Sequence, residues 1–531
     1  MLMEESKLLK RLQNPATFGP DVKSVKIIQT HISFIALTGK YVYKVKKPVN
    51  FGFLDFTTLE KRKHFCEEEI RLNRRLCPEI YLDVVPITQK NDNIEISGDG
   101  NIIDYAVKMK EFHQENVMTE LLKKGKIDEE ILDKIIDKLV QFYRSEKRSK
   151  EIDYFGSIQA VKNNIDENFE QTKPFIDLTI AKNIFDFIKE KTNNFLEKRK
   201  DLFKSRIKNG FICDCHGDLH SGNIAIDDGF VYIFDCIEFN KRFRFSDVAS
   251  DIGFLAMDLD FLGYPYLSSY LIKRYIEKSG DKNLLDVLNF YKCYRAYVRG
   301  KVTCFKLNDA KIDNIKREKI IKTAFKYFNL AHYYSQLFSV DLKKKKPILF
   351  ITIGLTGTGK TTVARKIAID YYGKLISTDT LRKELEGINK YDRHHDAYNT
   401  GLYAPEKMLK TYEKILEKAK KLLEKDENVV LDATFKTKDL RKKALKIAEK
   451  TKARFLILYT VCPEEVVKKY LEDRLKKKSV SDGRWEIYVK QKNSFEPPES
   501  IDNFVEIDIS KISYDYQIKV FRKILNKIIE V

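Results

Sequence analysis

The sequence predicts a multidomain α/β protein in which an α+β part with two lobes precedes a part built on a parallel sheet. The chain has 531 residues, more than a single hydrophobic core ordinarily organises. Strand patterns dominate residues 1–112, and helical patterns dominate residues 113–340. After residue 347, apolar strands alternate with amphipathic helices, which is the pattern of a parallel sheet with crossover helices.

The first lobe is predicted from runs of β-branched and aromatic residues. Residues 24–46 contain two such runs, separated by the turn Thr38–Lys40. A helical stretch follows, with Thr57 or Thr58 as its N-cap. Further strand-like runs continue to about residue 112. We therefore expect residues 1–112 to form a small β-rich lobe with one helix.

A helical lobe is predicted for residues 113–340, where apolar residues recur at steps of three and four. Short strands interrupt it at 211–239. Residues 341–347 contain four successive lysines, which we interpret as a solvated linker. The remaining residues, 348–531, open with the continuous apolar strand ILFITIGL and form the predicted parallel-sheet part.

Composition constrains the class of protein and its partners. The formal net charge is +20, but lysine and glutamate alternate along the helical stretches, which is typical of a solvated surface. A nucleic-acid-binding surface is kept as a secondary alternative. The eight cysteines lack framework or zinc-site spacing, which favours free thiols in a reducing compartment. No run approaches 18 apolar residues, so we expect a soluble cytoplasmic protein without a membrane partner.

The motif HGDLHSGN, residues 216–223, has the residue types that phosphoryl transfer from ATP requires. Asp218 can serve as the carboxylate beside an acceptor hydroxyl. Asn223 can supply an amide oxygen to Mg²⁺, and Asp235, at the end of a following strand, can supply a carboxylate oxygen. The spacing of His216, Asp218, Asn223 and Asp235 predicts a catalytic loop followed by a metal-binding loop.

Two lysines upstream are candidates for the phosphate-binding cation. Lys44 and Lys46 lie two residues apart on one strand and therefore share a face. Either could hold the α- and β-phosphates. Glu69, midway along the following helix, is the carboxylate that we expect to fix this lysine, with Glu67 and Glu68 as alternatives.

These features resemble the aminoglycoside phosphotransferase family, small-molecule relatives of the protein kinases, over residues ~25–335. CHGDLHSGNI is similar to the family's catalytic loop, and FDCIEF stands where protein kinases carry Asp-Phe-Gly. By this resemblance, Val107–Phe112 connects the lobes and binds adenine through its backbone, and Asp247 and Asp251 are scaffold residues. The sequence departs from the kinase pattern at Gln29–Ser33, where the phosphate-covering loop is not glycine-rich.

A second nucleotide motif is GLTGTGKT, which follows a buried strand and opens a helix as a P-loop does. Its glycines allow backbone N–H groups to surround phosphates, and Lys360 can reach the β- and γ-phosphates. Thr361 can offer its hydroxyl to Mg²⁺. The predicted ATP-binding residues of this loop are Gly354, Leu355, Thr356, Gly357, Thr358, Gly359, Lys360, Thr361 and Thr362.

Two acids end predicted strands in this part, Asp379 at the end of ISTD and Asp432 at the end of NVVLD. Carboxylates at the ends of parallel strands lie where such sheets bind ligands. The segment resembles small P-loop kinases of the zeta-toxin, gluconate-kinase and polynucleotide-kinase type, often described as AAA-like. By that resemblance, Asp379 is the candidate catalytic base, with Arg382 near the acceptor, and Asp432 is the magnesium-binding Walker B acid.

The stretch RLKKKSVSDGRW resembles the mobile lid of these kinases, whose cations cover the triphosphate. Arg474 and Arg484 are the candidate ATP contacts in it, with a surface role for both as the alternative. Three lysines occupy its middle, where relatives often have another arginine, and a lysine lacks the planar fork of a guanidinium.

The order of the two parts resembles a prokaryotic family of bifunctional enzymes, and the expectation is an ATP-dependent phosphotransferase with two Mg·ATP sites. The expected partner is a small molecule with an acceptor hydroxyl; a cationic one would need acids such as Asp258, Asp260 or Glu277. One alternative is that the P-loop part phosphorylates a nucleotide or polynucleotide. Others are that one part is a regulatory ATP-binding module, or that the first part modifies proteins. Oligomeric state is not predicted.

Overall fold

The computed structural model describes the chain except for eight short segments. The residues that the structure describes are 2–52, 54–309, 312–339, 346–389, 400–475, 483–499 and 502–529. The predicted linker and the middle of the predicted lid fall mainly outside these ranges.

Fifteen strands are present in the described residues. They are β1 (Lys26–Gln29), β2 (Ser33–Leu37), β3 (Tyr41–Lys46), β4 (Tyr81–Lys90), β5 (Asn93–Ile96), β6 (Asn101–Lys110), β7 (Ile212–Asp214), β8 (Ile224–Asp227), β9 (Phe230–Ile233), β10 (Phe245–Asp247), β11 (Ile348–Ile353), β12 (Lys374–Ser377), β13 (Val429–Asp432), β14 (Arg454–Val461) and β15 (Phe504–Asp508).

The α-helices of the same residues number twenty. They are α1 (Leu2–Leu12), α2 (Leu59–Asn73), α3 (Met118–Lys123), α4 (Glu129–Ser145), α5 (Lys150–Tyr154), α6 (Ile158–Thr172), α7 (Lys182–Lys198), α8 (Lys200–Lys208), α9 (Lys241–Arg244), α10 (Val248–Phe261), α11 (Pro265–Ser279), α12 (Leu284–Phe305), α13 (Asn314–Ser339), α14 (Lys360–Asp370), α15 (Thr378–Leu385), α16 (Pro405–Leu423), α17 (Lys438–Lys450), α18 (Glu464–Leu475), α19 (Trp485–Lys492) and α20 (Tyr514–Ile529).

The chain packs into two compact units, which are not the same as the predicted domains. The first consists of residues 1–167, 196–258 and 274–281, and the second of residues 168–195, 259–273 and 282–531. The helices α12 and α13 therefore pack in the same unit as the parallel sheet. The division of the chain at 341–347 stays a prediction drawn from sequence pattern.

The first unit contains an antiparallel sheet with the strand order β1-β2-β3-β6-β4-β5. Helix α2 packs against β6 and β4 on one face of this sheet. Thr58 is the N-cap of α2, since its side chain accepts a hydrogen bond from the Lys61 backbone N–H at 3.3 Å. Of the two threonines that the sequence offered as the cap, the structure uses the second. This packing brings α2 against the strand that carries Lys44 and Lys46.

Two small hairpin-like pairs carry the HGDLHSGN motif in the first unit. Strand β7 pairs with β10, and β8 pairs with β9, both antiparallel. The motif connects β7 to β8, and Asp235 follows β9 by two residues. The strands thus bring the motif and Asp235 to one place, because β9 returns alongside β8.

The second unit contains a five-stranded sheet with the order β12-β13-β11-β14-β15, in which all neighbouring pairs are parallel. All six residues of β11 are buried, as a central parallel strand requires. Its main core cluster includes Leu349, Ile351 and Leu431. Because β11 and β13 are neighbours, the loop after β11 and the acid that ends β13 meet at one edge of the sheet.

The helices of the second unit hold the far end of α14 through buried polar groups. Tyr333 donates a hydrogen bond to Asp370 Oδ2 at 3.2 Å, and Lys366 pairs with the same carboxylate. A neighbouring pair joins Lys292 Nζ to Asp260 Oδ2 at 2.6 Å. All four charged side chains are at most 8% exposed. The helix that begins with the P-loop lysine is thus fixed at its other end against α13.

None of the helices in the described part of the chain has the length and apolar character needed to cross a bilayer.

Candidate functional site

The loop that carries Asp218 is held by a buried histidine. His216 Nδ1 accepts a hydrogen bond from the Asp218 backbone N–H at 3.2 Å, and Nε2 lies 2.9 Å from the Phe234 carbonyl oxygen. The two contacts fit a neutral imidazole protonated on Nε2. Burial lowers the pKa of His216, which favours the same neutral form. His216 therefore fixes the backbone on either side of Asp218 rather than facing a substrate.

Two aspartates of α10 anchor the same loop. Asp251 accepts hydrogen bonds from the backbone N–H groups of His216 at 2.8 Å and Gly217 at 3.0 Å. Asp258 Oδ2 accepts from the Ser221 N–H at 2.9 Å and from its hydroxyl at 2.5 Å. The geometry agrees with a scaffold role for Asp251. It also places Asp258 under the loop, where it is bonded to protein rather than directed to a cationic acceptor.

Gly217 has a backbone conformation that the loop requires. Its φ is +86°, in the left-handed region that side-chain-bearing residues rarely adopt. A Cβ atom there would lie 2.9 Å from the Phe243 carbonyl oxygen. Asp235 also has a positive φ, of +63°, and its N–H donates to the Tyr81 hydroxyl at 3.1 Å. Such strain in a non-glycine residue is typical of functional loops.

Asn223 lies beside Asp218. Its Nδ2 donates to the Asp218 carbonyl oxygen at 3.0 Å and to Oδ2 at 3.2 Å. The amide is thereby oriented, and within the described chain its Oδ1 has no hydrogen-bond partner. His220 Nε2 lies 3.5 Å from Asp218 Oδ2. The Asp218 side chain is 34% exposed, so a small molecule can reach it.

The two candidate lysines of β3 share one glutamate. Lys44 Nζ lies 2.8 Å from Glu69 Oε1 and 2.6 Å from Asp235 Oδ1. Lys46 Nζ lies 2.7 Å from Glu69 Oε2 and also pairs with Glu238. Lys46 is completely buried, whereas the Lys44 side chain is 11% exposed and faces Asp235. The geometry therefore favours Lys44 as the lysine that could reach a phosphate.

The alternatives to Glu69 lie elsewhere on α2. Glu67 pairs with Lys63 at 3.7 Å, and Glu68 binds Arg71 through both its oxygens. Their partners are on the same helix, and neither glutamate contacts β3 through an ion pair in the described chain. Glu69 is thus the only one of the three that the fold brings to the lysines.

Charge balance in this cluster is set by burial and ion pairing. Burial alone would raise the pKa of Glu69, but Lys44 and Lys46 lower it to about 2. Burial raises the pKa of Glu238 above its usual range, although Lys46 opposes the shift. Glu238 was missed by the sequence argument. The available signal was its position three residues after Asp235, which places it on the same loop.

The second site is the loop between β11 and α14. Lys360 Nζ donates to the Leu355 carbonyl oxygen at 2.8 Å, and the Thr361 hydroxyl donates to Asp432 Oδ2 at 2.7 Å. Gly359 has a φ of +81°, and a Cβ atom on it would lie 2.7 Å from Ile509. A residue with a side chain would therefore be strained at this position.

Other residues of the loop bind protein. The Thr356 N–H donates to Gln491 Oε1 on α19 at 2.9 Å, and Thr358 Oγ1 lies 2.7 Å from Thr460 Oγ1. A cavity of about 400 Å³ opens beside the loop. The loop residues that line it are Thr356, Gly357, Gly359, Lys360, Thr361 and Thr362. Gly354, Leu355 and Thr358, which were also predicted to bind ATP, are not among the residues that line it.

The charges beside the loop are perturbed by burial. Desolvation lowers the pKa of Lys360 to about 8, although Asp432 and Asp379 oppose the shift. Desolvation raises the pKa of Asp432 to about 6, and the Thr361 hydroxyl partly offsets it. At neutral pH Lys360 therefore stays mainly protonated and Asp432 mainly ionised, but each pKa lies close enough to 7 for a bound ligand to change the group's protonation.

Asp379 lies on a helix rather than at a strand end as expected. Strand β12 ends at Ser377, and Asp379 is in the first turn of α15, which begins at Thr378. Arg382, one turn along, donates to Asp379 Oδ1 at 3.2 Å. Both line the cavity with Asp432. Asp432 does end its strand, β13, as expected.

The two lid arginines occupy different places. Arg474, near the end of α18, lines the cavity, whereas Arg484 is the N-cap residue of α19 and does not line it. Residues 476–482, the lysine-rich middle of the predicted lid, lie outside the described residues.

Both sites have the donor set that Mg²⁺ and a triphosphate require. Mg²⁺ prefers carboxylate, amide and hydroxyl oxygens and keeps several ligands from water and phosphate. Asn223 with Asp235 in one unit, and Thr361 with Asp432 in the other, offer two protein ligands each. Within the described chain no cluster of three or more His, Cys, Asp or Glu side chains forms a metal cage.

Comparison with known proteins extends this description. The sequence profile of the AAA domain matches residues 349–498. The N-terminal part is similar to solved kinases, such as the amicoumacin kinase hAmiN, with 10% identity, TM-score 0.39, and coverage of 61% of this chain and 93% of that one. The C-terminal part is similar to a gluconokinase from Sinorhizobium meliloti 1021, with 19% identity, TM-score 0.25, and coverage of 35% and 94%.

Two curated relatives span most of the chain. They are the uncharacterized protein Rv2004c of Mycobacterium tuberculosis and the uncharacterized protein Mb2027c of Mycobacterium bovis. Each is 30% identical over 431 residues, covering 81% of this chain and 82% of the relative. The aligned length exceeds either motif-bearing part alone. The chain belongs to the family of these mycobacterial proteins.

Proposed function

We propose that this protein is an ATP-dependent phosphotransferase with two Mg·ATP sites, which phosphorylates a hydroxyl group of a small molecule. One observation carries the proposal: each compact unit holds a lysine beside two oxygen ligands of the kind that magnesium prefers. In the first unit this lysine is Lys44, with Asp235 and Asn223. In the second it is Lys360, with Thr361 and Asp432.

In the first unit, Asp218 is the proposed base. Its carboxylate would accept the proton of the acceptor hydroxyl while the oxygen attacks the γ-phosphorus. The bond from that phosphorus to the β–γ bridging oxygen would break, and ADP would leave. Lys44 would bind the non-transferred phosphates, and Glu69 would keep it in position. Asn223 and Asp235 would hold Mg²⁺, which when bound would neutralise charge on the phosphates.

In the second unit, Asp379 is the proposed base and Lys360 the phosphate-binding cation. The backbone of Gly357 and Gly359 would surround the β-phosphate. Thr361 and Asp432 would hold the metal. Arg474 lines the same cavity and could stabilise the transferring phosphoryl group.

Two single-site variants test the proposal. Asp218→Asn should abolish transfer at the first site, and Lys360→Ala should abolish transfer at the second. The assay is ATP-dependent phosphorylation of a metabolite library. Asp201→Asn and Lys421→Ala are matched controls, since their side chains are 99% and 68% exposed.

The pattern of losses separates the alternatives. Two independent losses, with different acceptors, support two enzymes. Mutual silencing indicates that one part regulates the other. Phosphate transfer to oligonucleotides or to protein bands would replace the small-molecule acceptor. ATP turnover that survives the double variant would refute the proposal.

A further inference from the structure

The cavity of the second unit has an apolar wall, although Thr378, Thr434 and Lys436 also line the cavity. The wall residues come from α16 and α17 and are Pro405, Met408, Leu409, Tyr412 and Leu440. The polar atom among them is the Tyr412 hydroxyl, which accepts a hydrogen bond from the Phe435 N–H at 3.1 Å. This wall therefore offers hydrocarbon and aromatic surface, and it lacks the side-chain donors and acceptors that a polyol would need.

Arg382 presents an unused edge at this cavity. Its side chain is 4% exposed, and its Nη1 donates to Asp379 at 3.2 Å. The face of the guanidinium lies 4.5 Å from the centre of the Tyr403 ring. In the described chain, Nε is a buried donor with no partner, and Nη2 likewise has no hydrogen bond. Nε and Nη2 together form the fork that binds a carboxylate or phosphate through two parallel hydrogen bonds.

Asp379 connects this edge to the phosphate loop. Its side chain is 30% exposed, and its charge is among those that act on Lys360. A hydroxyl held by Asp379 would therefore be close to Arg382, in the cavity that Lys360 also lines. The cavity, at about 400 Å³, must hold the terminal phosphates as well, so the acceptor must be small.

We propose that the P-loop site phosphorylates a small alcohol that carries one anionic group on a hydrocarbon or aromatic body, with the anion bound by Arg382. The inference rests on the proposed function and names its substrate class. The acceptor oxygen forms a bond to the γ-phosphorus of ATP as the bond from that phosphorus to the β–γ bridging oxygen breaks. The hydroxyl proton passes to Asp379, and ADP leaves.

The test uses the full-length protein with Asp218→Asn, so that the proposed first site is silent. The acceptors are 3-phenyllactate and 2-hydroxy-4-methylpentanoate, their uncharged counterpart 3-phenyl-1-propanol, the polyol glycerol, and glycerol 3-phosphate. Phosphorylated product is measured with Mg·ATP, and acceptor binding is measured by calorimetry with Mg·ADP present. The glycerol 3-phosphate arm distinguishes a phosphate from a carboxylate as the anion.

The hydrocarbon hydroxy acids should bind and react, while glycerol and the uncharged alcohol should not. Arg382→Gln should weaken their binding about tenfold or more, the effect expected for a bidentate charge-assisted contact. Arg382→Lys should restore it only in part, because the planar fork is lost. Leu409 is 46% exposed, so Leu409→Gln should fold normally and weaken 3-phenyllactate specifically.

Three outcomes would overturn the inference: equal use of glycerol and the acids, acid binding that Arg382→Gln leaves unchanged, or no binding of any anionic acceptor with Mg·ADP present. Nucleotide binding and ATP turnover are scored separately. A protein that binds and turns over ATP with neutral acceptors would keep the proposed function and lose this inference. A protein that neither binds nor turns over ATP would lose both.

Discussion

Replacing each lysine of β3 by methionine should separate a structural lysine from a phosphate-binding one. Lys46 lies 2.7 Å from Glu69 and is fully buried, with Glu238 as a second partner. A pair at this distance has a Coulomb energy of about 6 kcal/mol at an effective dielectric of about 20. Desolvation offsets much of it, and breaking a buried pair typically costs about 3–5 kcal/mol. We expect Lys46→Met to destabilise the first unit by that amount.

Lys44→Met should behave differently. Glu69 would keep Lys46, and the side chain of Asp235, which is 47% exposed, can be solvated. The expected loss of stability is therefore about 1–3 kcal/mol, less than for Lys46→Met, because Glu69 Oε1 loses a buried partner but Glu69 keeps Lys46. Phosphoryl transfer at the first site should fall about 100-fold or more, because the phosphate-binding cation is removed.

The assay exploits the single tryptophan of the chain, Trp485, which belongs to the second unit. Urea unfolding followed by circular dichroism reports both units, and tryptophan fluorescence reports the second. Lys46→Met should lower the urea midpoint of the transition of the first unit and leave that of the second unit unchanged. The double variant Lys46→Met/Glu238→Leu should recover about 2 kcal/mol or more, since no buried carboxylate is then left without a partner. Equal destabilisation by the two methionine variants, or no recovery in the double variant, would refute the reasoning.

Three further predictions concern charge. Because the pKa of Lys360 is lowered to about 8, bound phosphates should raise it and restore the proton. ATP affinity should therefore fall as pH rises from about 7.5 to 9.5. Calorimetry in two buffers at pH 8.5 should show proton uptake on ATP binding, and Lys360→Arg should abolish this uptake. Asp432→Asn should weaken the dependence of the second site on Mg²⁺ and lower kcat about 100-fold or more. Binding of ADP without metal should change little. Magnesium titrations that are unchanged in this variant would exclude Asp432 as a metal ligand. Arg206 is 1% exposed and donates two hydrogen bonds of 2.6 and 2.8 Å to Asp247. Arg206→Met should therefore lower the free energy of unfolding of the first unit by about 3–5 kcal/mol, measured by urea unfolding. A loss below about 1 kcal/mol would contradict this prediction.

The motif-bearing loops could be predicted because their chemistry is local in sequence. Short segments of the sequence are enough to identify the spacing from His216 to Asp235 and the strand–loop–helix context of Lys360. The choice between Lys44 and Lys46 could not be made in the same way. Both share a strand face, and the difference arises from α2 and from Glu238, which lies 192 residues away.

Two other features show why long-range packing defeats sequence patterns. Asp258 was a candidate acid for a cationic substrate, yet it accepts a hydrogen bond from Ser221 because α10 passes beneath the loop. Asp379 was expected at a strand end, but α15 begins at Thr378, which places Asp379 and Arg382 one turn apart on the same face. The open edge of Arg382 is a property of three-dimensional neighbours and has no counterpart in the sequence motif.

The buried contacts at the far end of α14 bear on where this polypeptide can be cut. A fragment that starts at residue 346 would keep the P-loop but lose Tyr333, leaving Asp370 and Lys366 without the helix that covers them. Such a truncation should yield an aggregation-prone product, although the motif boundary invites it. Dissection of the polypeptide is therefore better guided by its packing than by its motifs, and a gene rearrangement that exchanged only the P-loop segment would expose a charged interior.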